Sequence, residues 1–338
     1  MRLLDLVAQS TAAAPRLPAG WQLPGAHHFA AAVRACPLRL VLEDDLIQIT
    51  TQLAYAEGER LSGCLDLVRV PAQHMWIEWL EERRQSTLRE MPACGVTSSS
   101  VVKRAGGLIN AHPAGRVGTM RTFWSTYNEQ VYSAAVLTDF DLDRAVRPPL
   151  DIAAVFSGAA FGVVMPEEAA LDELLCHVSF RLDPAWVEYY RAADLTEGQR
   201  MLVLREVLGM TAFDMPMILA LFLLFAAKDG IRHRAANLER LNRARRILGK
   251  PSLLEHIEAR APIAVGDLYQ PAPAPGANRR RGPRLHHVRG HIARRGDKVF
   301  WRLPHLRGNA RLGVVRSRTV QLSFHQRALP TRRSKAKR

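Results

Sequence analysis

The densest gathering of reactive and charged side chains lies between residues 284 and 308. Arg284, Arg289, Arg294, Arg295, Arg302 and Arg307 supply guanidinium forks, which bind phosphate oxygens through paired hydrogen bonds. Trp301 adds an aromatic face of the kind on which unpaired bases stack. These seven are the candidate nucleic-acid-binding residues. Interleaved with them are His287, His291 and His305, the candidate catalytic set of a second reading, a metal-free, toxin-like ribonuclease. Cleaving RNA by its own 2′-hydroxyl needs one group to take a proton and another to give one. It also needs cations on the phosphate, here Arg289 or Arg307. Read as one strand, Leu285 to Ala293 places His287, Arg289 and His291 on one face, with Val288 and Ile292 on the other. No metal is expected there, because no cysteine or carboxylate joins the imidazoles and the arginines repel a cation. No cofactor is expected either.

Elsewhere the chemistry is weaker. His74 and Glu78 are four apart in a strand-like run. Asp139, Asp141 and Asp143 alternate like a calcium loop, but Arg144 stands where that loop needs glycine and no glutamate follows at its twelfth position. They read as the acidic end of a strand. Gly249-Lys250 lacks the upstream glycine of a phosphate loop, since Ala244 stands there. His27, His28 and His112 read as surface imidazoles. Cys36, Cys64, Cys94 and Cys176 form no CxxC pair and read as small core residues of a chain kept reduced.

The elements that must position the basic residues emerge from charge and periodicity. The 338 residues contain 47 Lys and Arg against 32 Asp and Glu, a formal charge of +15. From Pro271 to Arg338 there are nineteen bases and a single acid, Asp297, whereas the rest of the chain carries 28 bases and 31 acids. A near-neutral body thus precedes a strongly cationic end. With 48% hydrophobic and 23% charged residues, the composition excludes a wholly disordered chain, a collagen-like fibre and a disulfide-stapled miniprotein. No signal peptide is evident, and the most apolar run, Met215 to Ala227, is too short to span a membrane. It reads as a buried helix with Pro216 in its first turn. A cytoplasmic location and no membrane partner are expected.

Strands are expected at Asp66–Val70, Met75–Trp79, Arg116–Trp124, Val131–Thr138 and Asp151–Val164. Helices are expected at Ala26–Arg34 and Asp44–Glu57. From Asp183 to Leu248 the period is helical, with Thr196 and Gln199 as a capping box. The arginine-studded stretch Arg232–Leu248 uses Leu238, Leu241 and Leu248 as its apolar positions and stops at Gly249. Leu254–Arg260 reads as a strand or a frayed helix. Beyond a Pro-rich linker come strands at Leu285–Ala293, Lys298–Leu303 and Gly313–Phe324, the first two joined by a turn at Arg295-Gly296-Asp297.

The signature Pro283-Arg-Leu-His-His-Val-Arg-Gly-His-Ile-Ala-Arg-Arg295, followed by Lys298-Val-Phe-Trp301, resembles the C-terminus of a widespread group of uncharacterised phage and prophage proteins. Those end in a PRxHxxRGHxRR segment, a short turn and a lysine-plus-Trp strand. Leu241-Asn-Arg-Ala-Arg245 and Gly249-Lys250-Pro251 are similar to that group's basic helix and its exit. The resemblance covers roughly residues 238 to 320. It departs at His286-His287, at Arg279-Arg280-Arg281 and at Pro304–Gly308. It implies an origin in a mobile element and carries no established activity.

The sequence therefore predicts an α+β protein. A mixed α/β body spans 1–182, a helical segment 183–250, and a basic antiparallel β-rich unit 251–326 that contains the linker 270–283. A disordered basic tail occupies 327–338. The expected function is nucleic-acid binding, to DNA or RNA, through the His/Arg/Trp surface. The alternatives are the ribonuclease and an adaptor whose basic end meets an acidic protein partner.

Overall fold

Met75, Ile77 and Trp79 alternate with Trp76 and Glu78, and all five are buried, so the strand that carries them is covered on both faces. It lies near the middle of an eight-stranded mixed sheet. In chain order the strands are β1 (Leu38–Leu42), β2 (His74–Leu80), β3 (Val102–Ala111), β4 (Val117–Thr126), β5 (Val131–Asp141), β6 (Val178–Leu182), β7 (Arg232–Ala235) and β8 (Ile257–Arg260). Their spatial order is β6-β5-β4-β3-β2-β1-β8-β7. β1 runs parallel to β2 and to β8, and every other pairing is antiparallel. This computed structural model describes residues 1–10, 26–91, 102–163, 169–211, 214–228, 230–262, 284–288, 291–302, 305–307 and 309–314.

Helices cover both faces. On one, α1 (Leu3–Gln9) and α2 (Ala30–Ala35) bury Leu3, Leu4, Val7 and Val33 against Val41, Trp76, Leu108 and Phe123. On the other lie α3 (Asp44–Ala56), α4 (Gly58–Ser62), α5 (Glu81–Arg89), α6 (Ile152–Val155), α7 (Ala169–Leu175), α8 (Pro184–Ala192), α9 (Glu197–Thr211) and α10 (Asp214–Ala226). Every residue of α10 from Asp214 to Leu224 is buried. A helix apolar all round has no solvent face to offer, so it occupies the interior. α11 (Glu239–Ile247) buries no residue.

The helices expected at Ala26–Arg34 and Asp44–Glu57 form, the first beginning as a 3-10 turn at Ala26–Phe29. The capping box forms too: Gln199 accepts from the Thr196 N–H at 2.9 Å, and Thr196 Oγ1 accepts from the Gln199 N–H at 3.4 Å.

Several expectations change. Asp66–Val70 is not a strand: Leu65–Leu67 is a 3-10 turn whose carbonyls are gathered by Arg116. Asp151 begins a short helix instead of a strand, because its carboxylate caps the Ala154 N–H at 3.2 Å. Arg232–Ala235 is an edge strand, and Leu254–Arg260 resolves into β8 between β1 and β7. Residues 251–262 and the segment 183–250 therefore belong to the same unit as the first 182 residues.

The chain divides into two units. One comprises Met1–Ile263 with His291–Arg302, the other Ala264–Gly290 with Leu303–Arg338. The first thus includes an antiparallel hairpin of β10 (His291–Arg295) and β11 (Lys298–Arg302). In the second, β9 (Arg284–Val288) lies between β12 (His305–Arg307), antiparallel to it, and β13 (Asn309–Val314), parallel to it. The linker 270–283 and the tail 327–338 lie outside the described residues. Among the described residues no helix is long and apolar enough to cross a membrane.

Candidate functional site

The β10–β11 hairpin turns through Gly296 and Asp297, with Gly296 at φ 59°, a left-handed conformation that costs glycine nothing. Its register pairs His291 with Arg302, Ile292 with Trp301, Ala293 with Phe300, Arg294 with Val299 and Arg295 with Lys298. Directly opposed residues share a face. Ile292 and Val299 are buried in the main core, and Trp301 packs against it. The other face carries His291, Ala293, Arg295, Lys298, Phe300 and Arg302. Arg295, Lys298 and Arg302 on it are exposed, while Phe300 is half-buried. The hairpin is also stitched to the end of α10, where the Lys228 N–H donates to the Val299 carbonyl at 3.1 Å and Lys228 pairs with Phe300.

Arg294 lies on the same face of the hairpin as Ile292 and Val299, where it is exposed yet matched to a carboxylate. Its Nη1 and Nη2 meet Asp66 Oδ1 and Oδ2 at 2.9 and 2.8 Å, and Nη1 also donates to the Gly63 carbonyl at 3.1 Å. The turn that presents Asp66 is held from below. Arg116, buried, donates to the carbonyls of Leu65, Asp66 and Val68 at 2.9, 3.2 and 3.1 Å and pairs with Asp143. Beside Arg294, burial pushes the Cys64 thiol above its ordinary value, which keeps it protonated and poorly nucleophilic. Cys36 is also buried and Cys176 partly so; Cys94 lies outside the described residues.

The structure distributes the sequence-derived candidates over two units. Arg295, Arg302 and His291 share the outward face of the hairpin, whereas Trp301 and Arg294 take the inward one. Arg284 and His287 lie on β9 and His305 and Arg307 on β12. Arg289 is outside the described residues. The single strand expected at Leu285–Ala293 is two strands, β9 ending at Val288 and β10 starting at His291, each with different partners. His287 and His291 therefore lie on strands of different sheets. Between β9 and β12 the register sets Leu306 opposite His287 and Val288 opposite His305, so these histidines are not cross-strand partners. Among the described residues no group of three or more His, Cys, Asp or Glu is placed to hold a metal ion.

Sequence reasoning missed Phe300, Lys298 and Lys228. The signal was present for the first two: once Val299 is assigned to the core, Trp301 must follow it inward, and Lys298 and Phe300 must face out. It also read α11 inside out. Asn242 and Arg245 anchor the helix, with the Asn242 amide bracketing the Leu253 backbone at 3.1 and 2.8 Å and Arg245 Nε on the Pro251 carbonyl at 2.7 Å. Arg240, Arg243, Arg246 and Lys250 are exposed, and so are Leu241, Ile247 and Leu248.

A concavity lies where β1 and β8 end, lined by Glu43, Asp44, Asp45, Arg234, Glu258 and Arg260. Burial raises the Asp45 carboxyl above its ordinary value, and Arg234 is engaged by Glu258. Acidic groups predominate, so this groove repels phosphate. Glu78 is buried but structural: it accepts from the Leu3 and Leu4 N–H groups, each at 2.9 Å. His74 of the same strand meets Asn110 at 2.8 Å. Asp139, Asp141 and Asp143 close the end of β5, with Asp139 held by Thr119 and Arg181. Comparison with protein-family models, with curated proteins and with solved structures finds no match to this chain.

Proposed function

We propose that the chain is a nucleic-acid-binding protein of phage or prophage type that grips phosphates through the outward face of the β10–β11 hairpin. One observation carries the reading. Four titratable or cationic side chains, His291, Arg295, Lys298 and Arg302, are set by the register on a single face, in two cross-strand pairs. Asp297, the acid of that hairpin, is confined to the turn. Like charges placed directly opposite each other destabilise a sheet, so the Arg295–Lys298 pair costs folding energy that an anionic ligand would return. Lys228 adds a further exposed cation beside Phe300. The mobile-element origin rests on the resemblance of residues 283–301.

Because Ile292 and Val299 belong to the main core, removing everything beyond residue 270 would damage the body as well as the surface. The test therefore uses the full chain with Arg295→Ala and Arg302→Ala together, titrated against labelled DNA and RNA over a range of salt. Phosphate contacts release counterions, so affinity should fall steeply with salt, and the double variant should show a shallower dependence. Absent or salt-insensitive binding by the native protein overturns the reading.

A further inference from the structure

We infer that the ligand of the hairpin face is a single strand with unpaired bases, and that Phe300 is the side chain on which a base stacks. The inference rests on the nucleic-acid reading above and deepens it. Along the outward face the three cross-strand pairs occur in the order His291–Arg302, Ala293–Phe300 and Arg295–Lys298. The aromatic ring is thus central, with cationic groups on either side. Successive pairs are two residues apart, roughly 7 Å along the strands, a spacing comparable to that between neighbouring phosphates of an extended single strand. Opposite the ring stands Ala293, whose methyl group is too small to cover it. Phe300 retains partial exposure although the same hairpin turns Val299 and Trp301 inward. Trp301 is partly exposed too, but it lies on the opposite face of the hairpin, packed on the core with its indole Nε1 buried, so Phe300 is the ring that shares a face with the cations.

A duplex has little use for this arrangement. Its bases are stacked and paired inside two phosphate rails, and a ring on a flat two-stranded face reaches a base only after unstacking it, at a cost of a few kcal/mol. A surface meant for a duplex is served by the cations alone. A ring framed by phosphate-binding groups instead matches the pattern of single-strand binders, where sequence-tolerant stacking supplements the electrostatic grip.

The experiment measures anisotropy of the full-length protein with labelled oligonucleotides of about 12 nucleotides: single-stranded DNA, single-stranded RNA of the same sequence, and the DNA duplex. Each is titrated with the native chain and with the Phe300→Leu and Phe300→Trp variants. Both single strands should bind at least ~10-fold tighter than the duplex, the tighter of the two naming the natural ligand class. Phe300→Leu keeps apolar bulk without a π-face and should weaken single-strand binding roughly 5- to 150-fold, with duplex affinity little changed. Phe300→Trp should restore it, which shows that a folded hairpin needs only an aromatic face. Equal or tighter binding of the duplex, or Phe300→Leu binding like the native chain, overturns the single-strand inference and leaves phosphate binding standing. Failure of the native chain to bind any of the three overturns the underlying reading as well.

Discussion

Arg294 and Asp66, 228 residues apart in the chain, face each other in a two-pronged ion pair at 2.9 and 2.8 Å. The pair fixes the turn end of the β10–β11 hairpin to the 3-10 turn that Arg116 organises. It also divides the arginines of the hairpin by role, since the exposed Arg294 guanidinium is already matched to a carboxylate and has less to offer a phosphate than Arg295 or Arg302.

The salt dependence of binding separates those roles. Arg295→Ala and Arg302→Ala should each lower the slope of log affinity against log salt by about 0.7 for a single strand. Arg294→Ala should leave the slope unchanged. A drop of the same size at Arg294 would mean that its pairing with Asp66 gives way when nucleic acid binds, and the division of roles would be lost.

Glu78 shows the same economy inside the body. Its carboxylate is fully buried on β2 and accepts from two first-turn N–H groups of α1 and from Arg104 at 2.9 Å. Glu78→Ala leaves all three donors without it and should cost about 3–5 kcal/mol. Glu78→Gln, which keeps one acceptor oxygen, should cost less. Urea unfolding followed by circular dichroism reads both. If the alanine variant loses under about 1 kcal/mol, water has replaced the carboxylate and the anchoring of α1 lies elsewhere.

What the sequence revealed was whatever local chemistry decides. α10 was legible because thirteen apolar residues with proline in the first turn admit few other readings, and the Thr196–Gln199 cap and the Gly296 turn carry their own signatures. Arg232–Ala235 was not legible, because a four-residue run rich in arginine becomes a strand only through pairing with β8, some twenty residues downstream. The turn at Leu65–Leu67 depends on Arg116, which brings together carbonyls that no local pattern connects. At the candidate site the cationic character was plain. The face it occupies was not, since that depends on Ile292 and Val299 finding the core, and His287 and His291, grouped by alternation along one strand, fall on strands of different sheets.

Stability should carry a pH dependence from Asp214. This carboxyl lies buried at the start of α10, 3.1 Å from Arg84 Nη1 and 3.4 Å from the Thr122 hydroxyl. Burial pushes it up to about 7. Arg84 pulls it down but does not win, because its Nε and Nη2 are spent on Glu81, whose own charge raises Asp214 further. The folded chain therefore holds a proton that the unfolded chain has released between about pH 4 and 7. Across that window stability falls as pH rises, by at most about 1.4 kcal/mol per pH unit, and it is flat above. Asp214→Asn should remove this component. Urea midpoints of the variant and the native chain that stay parallel from pH 5 to 8 would show that Asp214 does not titrate in that range.

The inverted helix α11 yields a last expectation that runs against hydrophobic intuition. Leu248 is 68% and Ile247 80% exposed, so replacing either with alanine removes little buried surface and should change stability by no more than about 0.5 kcal/mol. Asn242 instead donates to the Leu253 carbonyl and accepts from the Leu253 N–H. Asn242→Ala leaves both backbone groups without their partner and should cost about 1–3 kcal/mol. Thermal unfolding of the three single variants decides the order. If Leu248→Ala proves the most costly, its side chain is buried in solution and α11 does not present its aliphatic residues to solvent. If Asn242→Ala is the most costly, the helix is held by its amide, and its row of arginines stays at the surface beside the uncovered leucines.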